Sequence, residues 1–253
     1  MKQRDHRVCP AVCRHGPTPA VRREPAGPPA CPCLSPPEVH LIAIPRLEEL
    51  CRRDFDSFTE FGAHHPTPRD RGYFFHDAGH PVLGVAHLDT VLPGDHFEAG
   101  GGRVHSPALD DRLGVYILTH LLPALGVAFD LLLTDAEEVG RSTAAHFVPP
   151  RRYNWVFSFD RAGTDAVLYQ YDCPDLRRRL EGAGSAVGRG SRSDISHLEH
   201  LGCKGLNLGC GYYRAHRPDC FARTDETIEM ARRFAGFWRE HRHTHLPHDA
   251  DRV

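Results

Sequence analysis

Five short stretches of this chain carry the residue types that metal-assisted hydrolysis requires. In order they are Val85-Ala-His87-Leu-Asp89, Ala108-Leu-Asp110-Asp111-Arg112, Thr134-Asp-Ala-Glu137-Glu138-Val-Gly140, Phe157-Ser-Phe-Asp160 and Gly211-Tyr-Tyr-Arg-Ala-His216. Imidazole and carboxylate suit divalent cations of the zinc type, and a spare carboxylate is what an activated water needs as proton acceptor. No pair alone is diagnostic. A histidine ending a strand is ordinarily solvated, and an Asp-Asp pair opening a helix is ordinarily a cap favoured by the helix dipole. Glu137-Glu138 is different, because two adjacent carboxylates behind a buried strand repel each other and a cation is the economical neutraliser. Asp160 ends an apolar run and needs a cation or solvent. On a strand, residues two apart share a side, so Asp89 is placed to hold the His87 ring nitrogen that faces away from a metal. His216 sits in an aromatic loop and gains weight only by completing the count. Five such segments in this order indicate a site for two divalent metals.

The elements needed to position these residues are legible in the apolar pattern. Leu47, Leu50, Cys51, Phe55 and Phe58 recur at helical spacing. Tyr73–His76 and Val82–Ala86 flank Asp77-Ala-Gly79 and predict a hairpin with a buried second strand. A helix follows Asp110-Asp111 through Leu113, Tyr116, Ile117 and Leu121. Residues 129–134, 155–159, 166–170 and 205–209 predict strands, and a helix starts within 140–147. The chain closes with an amphipathic helix over 225–242, with Ile228, Ala231, Phe234, Ala235 and Trp238 on its apolar stripe. Strands alternating with helices predict an α/β fold, a mixed twisted sheet with helices on both faces. Ligands of such sheets collect beyond the carboxyl ends of the strands, which is where His87, Glu137, Glu138 and Asp160 fall.

Bulk properties narrow the function classes. The 253 residues suffice for one substantial core. A net charge of −2 with interspersed signs argues against a nucleic-acid surface. No apolar run approaches the roughly 20 residues that span a bilayer, and the charged start Met1-Lys-Gln-Arg lacks a secretory apolar core. A cytoplasmic location is expected. Nine cysteines without framework spacing fit reduced thiols, five of them in apolar segments. Residues 1–40 are rich in proline and arginine and predict a disordered segment. Residues 41–243 then form a single catalytic domain and 244–253 a flexible tail, and the alternating histidines of the C-terminal end (His241, His243, His245, His248) are solvated.

The five segments resemble the co-catalytic di-zinc exopeptidase superfamily, which includes bacterial leucyl and glutamyl aminopeptidases and carboxypeptidase G-like enzymes. The resemblance runs from about Tyr73 to Cys220 and keeps the order of all five. It implies two divalent metals, zinc with cobalt or manganese as alternatives. His87 and Asp160 would hold the first, Glu138 and His216 the second, and Asp110 would bridge them. Glu137 would be the general base and Asp89 the residue orienting His87. Asp110 is chosen over Asp111 for its distance from Gly114, which is similar to the family's Asp-x-x-x-Gly arrangement. Relatives insert a second domain after the equivalent of His87 or of Asp160, but these gaps hold only about twenty and about fifty-five residues here. The resemblance therefore implies a bare catalytic domain acting on a small peptide or amide, most simply an aminopeptidase. A deacylase of non-peptide amides, or a metal-binding protein without activity, are the alternatives. Tyr212, Tyr213 or a metal would stabilise the oxyanion. Ser191-Arg-Ser-Asp194 reads either as a substrate contact or as a helix N-cap.

Overall fold

The computed structural model describes residues 42–248. The segment 1–40, with Cys9, Cys13, Cys31 and Cys33, and the last residues 249–253 lie outside the described residues. The elements, in chain order, begin with α1 (Ile44–Arg52), β1 (Ala63–His65), β2 (Tyr73–His76), β3 (Val82–His87), β4 (Glu98–Gly100) and β5 (Arg103–His105). Next, α2 (Leu109–Tyr116) continues through a π-type turn (Ile117–Leu121) into α3 (Leu122–Ala124), followed by β6 (Asp130–Thr134) and β7 (Trp155–Arg161). Then come β8 (Ala166–Val167), α4 (Pro174–Gly182), β9 (Lys204–Gly209), β10 (Tyr212–Tyr213), β11 (Phe221–Arg223) and α5 (Thr224–His241).

Seven strands form a mixed sheet in the order β1-β2-β6-β3-β7-β9-β8, with β6, β3, β7 and β9 parallel. Because β3 is central and covered on both sides, Val82–His87 is buried at every position rather than alternating. Its alternate side chains still part cleanly, with Val82 and Ala86 on the face of α2 and α5, and Leu83 and Val85 on the other. Helical turns cover both faces. The α-helices pack on one, around Phe157, Phe234 and Trp155. Single 3₁₀ turns at Thr143–His146, Asp194–His197 and Glu199–Leu201 cover the other. Gly84 is required in β3, since a Cβ there would stand 2.8 Å from the Phe129 ring and 3.0 Å from that of Phe157.

The expected hairpin between β2 and β3 is absent. β6 enters between them, pairing antiparallel with β2 and parallel with β3. The cause is Asp130, fully buried at the start of β6, whose Oδ1 accepts the amides of Ala78 and His80 at 3.0 and 2.9 Å. The Asp77-Ala-Gly79 turn is thus tied to a third strand instead of closing two neighbours. The predicted helix within 140–147 shrinks to the 3₁₀ turn 143–146. The C-terminal residues also depart from expectation. Leu246 is buried and its backbone bonds Asn154 and Lys204, His248 is buried with Nε2 2.8 Å from Glu199, and His241 is buried beside Phe237. Residues 244–248 are therefore docked on the sheet edge, because an apolar Leu246 and a free edge amide at Lys204 match. No described helix is long and apolar enough to cross a membrane. Cys51, Cys203, Cys210 and Cys220 are buried free thiols and Cys173 is partly buried.

A second sheet of four short antiparallel strands, β10-β11-β5-β4, went unpredicted. It carries the His216 loop on one end.

Candidate metal centre

The carboxyl ends of the parallel strands deliver the candidate residues to one edge. β3 ends on His87, β7 carries Asp160 near its end, and Glu137-Glu138 lies three residues beyond β6. Asp110 and Asp111 open α2 with non-helical backbone angles. Ala136 and His216 have positive φ, 63° and 60°. Left-handed backbone is uncommon for non-glycine residues and concentrates at functional sites. Here it turns Glu137 and the His216 imidazole toward the others.

The structure brings together all seven residues singled out from sequence. His87 is 1 % exposed, with Nε2 3.5 Å from both Asp110 Oδ1 and Asp160 Oδ1. Asp110 lies between two imidazoles, because its Oδ2 is 3.1 Å from His216 Nε2. His216 Nε2 is also 2.9 Å from Glu138 Oε2. Ligand atoms of His87, Asp110 and Glu138, and of His87, Asp111 and Asp160, lie within 4.8 Å of one another. The Glu137 carboxylate has no hydrogen-bond or ion-pair partner among the described residues.

Asp89 departs from its expected part. β3 has ended by then, and the atom nearest His87 Nδ1 is the Asp89 carbonyl oxygen at 2.9 Å, with the carboxylate at 3.4 Å. A carbonyl only accepts, so Nδ1 carries the proton and Nε2 is left as the ligand atom. The Asp89 carboxylate instead accepts the amides of Glu137 and Glu138, at 3.2 and 3.0 Å. It fastens the Glu137-Glu138 turn to the His87 strand. Asp111 does similar work: fully buried, it accepts the amides of His87 and Gly114 at 3.3 and 3.1 Å.

Asn207 was missed, and Asp194, which the sequence offered as a substrate contact or a cap, has a positioning role. Asn207 on β9 accepts the Asp160 amide at 3.0 Å and donates to the Tyr169 hydroxyl at 2.9 Å. Asp194, fully buried, accepts the Thr134 hydroxyl at 2.7 Å and that of Ser142, bracketing the 135–142 loop. An amide or acid inside an apolar strand or loop is the sequence signal that marks both. Ser193 is the N-cap of the 194–197 turn. The tyrosines offered for an oxyanion are engaged elsewhere: Tyr212 donates to the Asp160 carbonyl at 3.1 Å, and Tyr213 donates to Glu226 at 2.5 Å.

The electrostatics of this cluster are unbalanced without a cation. Burial, with neighbouring carboxylates, pushes Asp160, Glu137 and Glu138 each up to about 7. Burial alone would lower His87, yet Asp110, Asp160 and Asp89 outweigh it and raise the ring well above its usual value. Asp110 holds His216 up to about 9. Glu138 Oε1 is buried with no partner among the described residues. An orphaned carboxylate oxygen, a two-histidine and three-carboxylate donor set and crowded like charges fit a pair of divalent cations.

No protein-family model and no curated protein matches the chain significantly. Solved structures do. The aminopeptidase PepT of Bacillus cereus superposes with a TM-score of 0.57 at 12 % identity, over 77 % of this chain and 96 % of its own. A tripeptidase from Staphylococcus aureus gives 0.56 at 11 %, over 76 % and 95 %. The TET1 peptidase of Pyrococcus horikoshii gives 0.51 at 14 %, over 71 % and 90 %. At such identities the likeness speaks to architecture. The chain has the fold of the PepT- and TET-type aminopeptidases.

Proposed function

We propose that the chain is a two-metal aminopeptidase acting on short peptides, with zinc as its metal. The observation that carries this reading is Asp110, whose two oxygens face two different imidazoles, with Asp160 beside one imidazole and Glu138 beside the other. His87 and Asp160 would hold one cation, Glu138 and His216 the other, and Asp110 both. Bound there, the cations supply Lewis acidity that polarises a scissile carbonyl and lowers the pKa of water.

The chain's own residues supply the rest. Glu137 accepts the proton of the attacking water and returns it to the leaving amine, since its carboxylate is unengaged and sits in the same cluster. Asp89 fixes the Glu137 main chain through the amide contact and leaves that side chain free to move between the two proton positions. Asn207 and Asp111 hold Asp160 and the His87 strand against the repulsion of the acids. The fold neighbours, being peptidases, support an amide substrate at the same strand edge.

The test is metal analysis of purified protein with hydrolysis of a panel of aminoacyl and N-acyl amides. Two equivalents of zinc, cobalt or manganese and release of N-terminal residues are expected. Hydrolysis confined to N-acyl amides would replace the aminopeptidase with a deacylase, and no metal-dependent hydrolysis would refute both.

A further inference from the structure

Arg112 follows the Asp110-Asp111 pair and is the only buried arginine among the described residues, 5 % exposed. Its guanidinium lies over the Phe58 ring, 4.8 Å from the centroid, and Nη2 donates to the Arg53 carbonyl at 2.9 Å. Nε and Nη1 are buried and meet no acceptor among the described residues. The neighbouring cations are matched: Arg53 pairs with Glu49 and Glu60, and Arg71 with Asp135. The nearby acids are committed as well, Asp89 to the amides of Glu137 and Glu138, Asp111 to those of His87 and Gly114. A guanidinium stays a cation at neutral pH. A buried cation with no direct ion-pair partner is unfavourable, and an oxyanion is the natural partner of a guanidinium.

Arg112 also lines a cavity of about 270 Å³, together with Arg53, Arg71, Leu88, Asp89 and Gly94. One wall of the cavity is tight. Gly94 presses on the end of α1 so closely that a Cβ would stand 1.9 Å from the Cys51 carbonyl oxygen. Its remaining acids, Asp54 and Asp95, are exposed and stand at the surface rather than against the guanidinium.

We propose that this cavity is an oxyanion site beside the metal centre, taking a small carboxylate or inorganic oxyanion against the Arg112 guanidinium. Arg71, paired with Asp135, lines the same cavity and adds positive potential to it, and Asp89 is the shared wall between the two sites. The inference stands whether or not the hydrolytic reading does.

The experiment is calorimetric titration of the metal-loaded full chain with phosphate and with acetate at constant ionic strength. Saturable binding is expected, abolished in Arg112→Met and weakened in Arg71→Gln, a change at a half-exposed side chain that also releases its partner Asp135. Anions bound to the metals instead would survive Arg112→Met. Undiminished binding in either variant, or no saturable binding by the unaltered chain, overturns the proposal. Inhibition patterns then identify the source of the anion. Competition by phosphate against substrates with an acidic residue, but not against neutral ones, marks a substrate carboxylate as occupant. Equal effects on both mark a free oxyanion.

Discussion

Replacing Glu137 by glutamine separates proton transfer from metal binding in a single atom exchange. The carboxylate has no hydrogen-bond or ion-pair partner among the described residues, so the exchange breaks no such bond, and the main-chain bond to Asp89 remains. Stability of the metal-loaded protein should therefore change by less than about 0.5 kcal/mol. Glutamine cannot accept a proton, and loss of a general base typically costs about 10²–10⁴-fold in kcat, which corresponds to about 2.7–5.4 kcal/mol of barrier. Glu138→Gln is the control one residue away. Glu138 faces His216 at 2.9 Å and buries its other oxygen unpartnered, so that variant should lose about one metal per chain and recover part of its activity in excess zinc. Both variants are assayed for bound metal by atomic emission and for initial rate at saturating metal. Unaltered kcat in Glu137→Gln would remove the general base and the mechanism with it. Exchanged behaviour of the two variants would shift the assignment by one residue.

His87→Ala and His216→Ala should each lower metal occupancy, and full two-metal loading in both would refute the ligand assignment. In the metal-stripped protein, Asp160, Glu137 and Glu138 hold their protons up to about 7 while the unfolded chain releases them near the usual carboxylate values, so the unfolded state binds fewer protons across that interval. Its stability should therefore fall as the pH rises from about 4.5 to 7, and added zinc should reverse the trend; a stripped protein whose Tm rises over that range would contradict the crowding. Gly114→Ala should cost about 1–3 kcal/mol, because the new Cβ would stand 2.1 Å from Asp111 Oδ1 and 2.5 Å from the Phe159 carbonyl, and chemical denaturation measures it. Truncation after His243 should cost roughly 2–4 kcal/mol, from one buried leucine and the edge hydrogen bonds of Leu246 and His248; unchanged denaturation would show that the docked end contributes nothing.

Two residues of the candidate centre were legible because each follows an apolar run directly. His87 after Val82–Ala86 and Asp160 after Trp155–Phe159 could not be placed anywhere but a strand end, and the parallel order then gathers them. What sequence could not show is which polar groups answer one another across the chain. Asp89 is two residues from His87, which suggested a bond to the ring, whereas its carboxylate serves amides 48 and 49 positions away. The burial of Arg112 was not legible either, since it comes from the packing of α1 over α2. The β2–β3 hairpin failed for the same reason, since a local turn signal was overruled by Asp130 on a distant strand. The four-stranded sheet escaped because strands such as Glu98–Gly100 are short and fully exposed, leaving no alternation to detect.

The two imidazoles of the centre differ sharply in their access to water: His87 is 1 % exposed, while the His216 side chain is 50 % exposed on a loop outside the main sheet. Two cations held by these ligands would not leave on the same timescale. The one held by His216 can depart by local opening of a surface loop, whereas the one held by His87 must await distortion of the central strand. Chelation should therefore run in two kinetic phases of equal amplitude, with a half-loaded species between them that a second kind of divalent ion can complete. A single phase that empties both positions together would mean that Asp110 ties their departures into one event.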